Sequence, residues 1–154
     1  MKKTFITVLL IMGSLVIQAQ ELKWETDINK AISVSNKTKK PMLLFFTGSD
    51  WCGWCIRLQK EVMKTPEFKT WAEKNVVLVE LDYPRSKPQT ELIKNQNTTL
   101  QQTFEIEGFP TIYFATAKLN TKKVPSYTKI GSTGYVAGGP KAWLAVADDI
   151  LKKK

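Results

Sequence analysis

Two spacings of apolar residues alternate along this chain. From Trp24 to Lys37, Ile28, Ala31, Ile32 and Val34 fall on one side of a 3.6-residue repeat, and Thr26 or Asp27 stands ready to cap the first turn. This predicts an amphipathic helix, ended by the stretch from Thr38 to Pro41. Met42 to Phe46 is then an unbroken apolar run of strand length, the pattern of a strand covered on both faces. Ile56, Leu58, Val62 and Met63 predict a helix as far as Lys64. Thr65-Pro66-Glu67 reads as a cap with proline at the first helical position, opening a further helix through Phe68, Trp71 and Ala72. Val76 to Leu81 is a second buried strand, Tyr83 to Pro88 a loop, and Thr90 to Phe104 a helix. Gly108-Phe109-Pro110 breaks the pattern before a third strand, Thr111 to Ala115. A turn at Asn120 to Lys123 leads to a fourth, Val124 to Ile130. Gly131 to Gly139 is glycine-rich, and Pro140 opens a last helix through Trp143, Leu144, Val146, Ile150 and Leu151.

The expected order is helix, strand, helix, strand, helix, strand, strand, helix, with no internal repeat. Strands joined through helices are expected to pair in parallel, and the short final connection to give an antiparallel pair. The fold class is therefore α/β, a mixed central β-sheet flanked by helices.

The first residues change this picture. Lys2 and Lys3 precede an apolar stretch, Thr4 to Ile17, and Ile17-Gln18-Ala19 has the form of a small-residue cleavage site. The stretch is short against the ~20 apolar residues of a membrane span. Residues 1–19 are expected to be a signal peptide cleaved near Ala19, leaving 20–154 as one domain that is periplasmic or secreted. The net charge is +9 over 154 residues. The lysines are scattered along the sequence, arginine occurs only at Arg57 and Arg85, and no compact Arg/aromatic patch is present. We read the charge as a solvated surface and expect no nucleic-acid partner.

Histidine is absent, which excludes His-based acid–base catalysis and His metal sites. The 2 cysteines, Cys52 and Cys55, sit in Trp51-Cys52-Gly53-Trp54-Cys55, between a predicted strand and a predicted helix. The i, i+3 spacing brings both sulfurs to one face of the first helical turn. The free N–H groups and the dipole at a helix N-terminus stabilise a thiolate, the reactive form of cysteine. A bridge closing so short a loop adds little stability, and two thiols fall short of the four ligands of a zinc site. The pair points to thiol–disulfide exchange, with an inert bridge and thiolate metal handling as the alternatives. No cofactor motif is present, and no metal site is expected.

The chain resembles the thioredoxin superfamily over nearly all of residues 20–154, and within it the bacterial exported thioredoxin-like proteins. Three features carry the resemblance: Trp51-Cys52-Gly53-Trp54-Cys55 after a strand, Gly108-Phe109-Pro110-Thr111 before the last strand pair, and, more weakly, Gly134-Tyr135 before the last helix. The resemblance implies a thioredoxin fold, with Cys52 as the exposed attacking cysteine and Cys55 as the buried resolving one. It implies a cis Pro110 opposite the sulfurs, leaving nearby backbone free to pair with an extended substrate. Trp51, Gly53, Trp54, Phe109 and Pro110 are the expected substrate-binding residues, with Trp51 packed beside the site and Trp54 at its mouth. The expected partners are protein disulfide or dithiol substrates and a membrane-bound thiol reductant as electron donor. A monomer is expected; the family's isomerases are usually dimers with an added dimerisation segment, for which residues 20–35 are too few, and this counts against an isomerase role.

The chain departs from thioredoxin at two points. Trp54 replaces the proline that precedes the second cysteine. Phe46 stands where thioredoxin has a buried aspartate six residues before the first cysteine, and the lysine accompanying that aspartate maps to Glu80. The proton acceptor for Cys55 is then Glu80, Asp50 or a bound water. Asp50 is more simply a solvated or capping residue. The reading is a thiol–disulfide oxidoreductase acting as a reductant, with an oxidase or isomerase role as the near alternative. A thioredoxin-fold binding module without turnover is the rival from another class.

Overall fold

A computed structural model describes residues 21–153. The expected signal peptide, Gln20 and Lys154 lie outside the described residues. The elements are β1 (Trp24–Glu25), α1 (Ile28–Thr38), β2 (Met42–Thr47), α2 (Gly53–Leu58) running into a π-helical turn (Gln59–Met63), α3 (Pro66–Asn75), β3 (Val77–Asp82), α4 (Glu91–Thr103), β4 (Thr111–Leu119), β5 (Pro125–Thr133) and α5 (Gly139–Leu151). The five strands form one sheet in the order β1-β3-β2-β4-β5. β1 and β2 lie parallel to β3, while β4 lies antiparallel to both β2 and β5.

Alternation along β2 divides the core into two layers. Leu43 and Phe45 face one side, with Leu78, Ile112, Phe114, Trp143 and both cysteines. Met42, Leu44 and Phe46 face the other, with Ile28, Ile32, Val79, Leu100 and Phe104. All of β2 is buried, which is why its sequence shows no polar alternation. Among the described residues, both layers draw on the stretch between Leu22 and Leu151.

Several caps follow the sequence expectation. Asp27 accepts the Asn29 and Lys30 N–H groups at the start of α1, and Thr65 Oγ1 accepts the Phe68 N–H at 3.3 Å with Pro66 at the head of α3. Other expectations are corrected. Trp24 and Glu25 do not start the first helix. They pair with Leu78 and Val79 as a short strand, because the Trp24 ring packs on Phe45 and Phe68 and the helical cap comes only at Asp27. The parallel rule holds for β1, β2 and β3 but fails for β4, which enters the sheet from the same end at which β3 leaves it. The active-site helix begins at Gly53 rather than Ile56 and widens into the π-helical turn. β4 and β5 are longer than their apolar runs suggest. Gly131 lies within β5, where a Cβ would meet Ile150 Cγ2 at 2.7 Å. Their pairs from Thr116–Thr128 to Leu119–Pro125 project past the start of β2.

Candidate functional site

The C-terminal ends of β2 and β3 and the start of β4 meet at one end of the sheet, and the cysteines sit there. Cys52 and Cys55 are closed as a disulfide. Cys52 caps α2, its Sγ accepting the Cys55 N–H at 3.2 Å, while its own N–H donates to the Gly48 carbonyl at 2.9 Å. Cys52 keeps 6% of its surface and Cys55 none. The order of exposure is the expected one, but Cys52 opens only a narrow window. Gly53 has open space where a Cβ would stand.

Trp51 forms one wall. Its Nε1–H donates to the Tyr83 carbonyl at 2.7 Å, the Arg85 guanidinium lies 4.0 Å from the ring centroid, and Phe109 meets its ring edge-on at 5.6 Å. Gly48 makes this possible, because a Cβ there would sit 2.4 Å from the indole. Phe109 also packs on Tyr83 and precedes Pro110 through a cis peptide bond. Gly134 passes close to the Pro110 carbonyl, so the start of β4 and the segment after β5 are held together beside the cysteines.

Trp54 forms the other wall and stands 56% exposed. Its ring packs on Tyr135 at 5.1 Å, with Arg57 over both rings at 5.4 and 5.3 Å. Arg57 Nε donates to Glu61 at 2.7 Å, and the Tyr135 hydroxyl donates to the other oxygen of Glu61 at 2.5 Å. The Tyr135 hydroxyl, then Arg57, holds the Glu61 carboxyl below its ordinary value. Tyr135 figured in the sequence reading only as a weak family signal. Arg57, Glu61, Gly48, Tyr83 and Arg85 were missed. Arg57 and Glu61 were readable as an i, i+4 ion pair, whereas the others are joined only by folding.

The two side chains named as proton-acceptor candidates, Asp50 and Glu80, separate on geometry, and so does the position that replaces the family's aspartate. Phe46 faces the layer away from the cysteines. Asp50 accepts the Arg85 N–H at 3.0 Å, and the Ser86 N–H at 2.7 Å and hydroxyl at 2.6 Å. The Ser86 hydroxyl and the two N–H groups pull its pKa down to about 2, so it acts as a loop cap. Glu80 pairs with Phe45 and therefore faces the cysteine layer. Burial, reinforced by the charge of Asp82 and opposed by Lys87, pushes its carboxyl up. On the same face of β2, Thr47 is fully buried and its Oγ1 has no hydrogen-bond partner among the described residues. Among the described residues no three His, Cys, Asp or Glu side chains gather as metal ligands.

A redox-closed pair at a helix start, beside a cis proline on a mixed five-stranded sheet, defines the class: a thiol–disulfide oxidoreductase of thioredoxin fold. The Thioredoxin-like family matches residues 23–117, and the chain belongs to that family. It is similar to the disulfide bond reductase DsbH of Chlamydia pneumoniae, 33% identical over 136 residues that cover 88% of this chain and 76% of that protein. The thioredoxin-related protein DsbJ of Chlamydia pneumoniae is 30% identical over 98% of this chain and 45% of its own length. A solved DsbH oxidoreductase superposes with a TM-score of 0.75 at 30% identity, covering 94% of both chains.

Proposed function

We propose that this protein reduces disulfides in exported proteins. The observation that carries the reading is the unequal burial of the disulfide-closed pair at the start of α2, with Cys52 keeping 6% of its surface and Cys55 none. The Cys52 thiolate attacks one sulfur of a substrate disulfide. A mixed disulfide forms, the substrate bond breaks, and the departing substrate thiolate takes up a proton. Cys55 then loses its proton and attacks Cys52 Sγ. The Cys52–Cys55 bond forms, and the second substrate thiolate leaves and is protonated. Two electrons have passed from the dithiol to the substrate, and a membrane-bound dithiol reductant returns them.

Cys55 has no exposed surface and must lose its proton before it attacks, so the resolving step needs a base. Glu80 serves as that base, directly or through a water held at the Thr47 hydroxyl. Burial has moved its carboxyl towards the working pH, where general bases are most effective. Trp51, Gly53, Trp54, Phe109 and Pro110 form the substrate contact surface, with backbone beside Pro110 free to pair with an extended chain. The direction of electron flow is supported by the name of the DsbH relative. Export is supported by the sequence of residues 1–19, so residues 20–154 work as a periplasmic or secreted domain, monomeric and without a nucleic-acid partner.

The test is the reduction potential of the Cys52/Cys55 couple, read from tryptophan fluorescence in defined thiol buffers. A value near about −270 mV is expected of a reductant, and a value near about −120 mV would make the protein an oxidant instead.

A further inference from the structure

The end of the sheet opposite the cysteines gathers lysines that are dispersed in sequence. α1 ends there with Lys37, followed by Lys39, and α3 ends there with Lys74. The projecting β4–β5 hairpin adds Lys118, Lys122 and Lys123, and the C-terminus of α5 adds Lys152 and Lys153. All of these are exposed. Lys152 pairs with Asp149, but none of the other seven forms a salt bridge with a described residue. Glu73, the nearby carboxylate at the end of α3, is taken up by Lys69. The other carboxylates near this end are engaged as well: Glu25 by Lys23 and Lys30, Asp149 by Lys152, and Asp148 by the Trp71 Nε1–H, while Glu21 stands where the chain enters the fold.

The hairpin tip is ordered and partly apolar. Asn120 Oδ1 accepts the Lys122 and Val124 N–H groups, both at 2.9 Å, and Asn120 N–H donates to the Val124 carbonyl at 3.1 Å. This fixes Leu119 and Val124, 43% and 55% exposed, at the tip among the three lysines. Leu22 lies beside Thr38, Lys40 and Val76 at this end.

We propose that this lysine-lined end, with Leu119 and Val124 at its tip, docks on the anionic headgroups of a lipid bilayer. Ammonium groups around a small aliphatic wedge suit such a surface, where each lysine adds attraction and the apolar side chains enter the headgroup region. Nucleic acid fits less well, because these cations are all lysines, without the planar guanidinium and stacking rings that read bases. Among the described residues no helix is long and apolar enough to cross a membrane; the contact proposed is one of this surface with the headgroups. The cysteines, at the other end of β2, face outward to substrates.

The test uses the chain from Gln20 onward, co-sedimented with vesicles of mixed phosphatidylglycerol and phosphatidylcholine and, separately, of phosphatidylcholine alone. Binding to the anionic vesicles that falls as salt is raised is expected. Lys118→Gln/Lys122→Gln/Lys123→Gln should lower that partition by about 100-fold, and Leu119→Ser should lower it further. Insulin reduction in solution should match the parent in every variant, which also verifies folding. Equal binding to both vesicle types, no binding, or an undiminished partition in the triple variant would overturn the proposal. Displacement from anionic vesicles by a short DNA duplex at equal phosphate concentration would overturn it in favour of nucleic acid.

Discussion

The two ends of β2 handle charge in opposite ways. At the cysteine end, charged groups are held by specific partners: Asp50 by the Arg85–Ser86 backbone and the Ser86 hydroxyl, Asp82 and Lys87 by Ser49, and Arg57 by Glu61 and two rings. At the far end, most lysines on the helix termini and the hairpin tip form no salt bridge with a described residue; Lys152, paired with Asp149, is the exception. Chemistry on a single sulfur needs atoms held to within fractions of an ångström, and locked pairs supply that. Attraction to a broad charged surface needs only net field, and unpaired cations supply more of it than paired ones.

Variants at the cysteine end test whether this locking serves turnover. Cys52→Ser should have the largest effect, cutting disulfide reduction by more than about 1000-fold while leaving vesicle binding intact. Its counterpart Cys55→Ser should accumulate a covalent substrate complex visible on a non-reducing gel. Glu80→Gln should slow the resolving step by on the order of 100-fold, seen in stopped-flow fluorescence, with first attack by Cys52 unchanged. The same variant has a stability signature. Because the folded-state carboxyl is raised above its ordinary 4.5, the native state is favoured while Glu80 holds its proton. That contribution is complete below about pH 4.5 and is lost as pH rises through the raised value. Urea midpoints of Glu80→Gln should therefore exceed the parent's at pH 8 and converge with them near pH 4.

Trp54→Ala removes an exposed ring that Tyr135 and Arg57 hold in place. It should raise KM for a protein substrate several-fold, by the ~1 kcal/mol scale of one aromatic contact, with kcat and reduction potential near the parent's. An equal fall in kcat would mean the ring tunes the sulfurs instead. Asp50→Asn should be the mildest. Its lowered pKa means the parent holds extra stability above the ordinary value of 3.8, lost as pH falls towards about 2. Thermal melts should show a small gap between the two proteins at neutral pH that closes in acid.

What the sequence disclosed was local. The cysteine spacing, the proline before β4, Thr65-Pro66 and Asp27 each act within a few residues of chain, so pattern alone located them. Trp24–Glu25 did not show, since two residues carry no periodicity and their pairing is decided by β3. The walls of the site were hidden for a related reason. Trp51 is anchored to Tyr83 and Asp50 to Arg85, across separations of 32 and 35 residues. The lysines looked dispersed because four separate elements deliver them to one place.

The borders of the sheet carry a consequence of their own. One is β1, two residues long. The other is β5, which starts with Pro125, carries Lys129 near its middle, and is thrown out of register with β4 between Phe114 and Ala115. Short, charged or kinked margins give a neighbouring chain little to extend. In a crowded compartment, where many copies pass each other while still completing their folding, such margins guard against fibrous self-association and keep the molecule dispersed at concentrations where a flat, uncharged border would seed deposits.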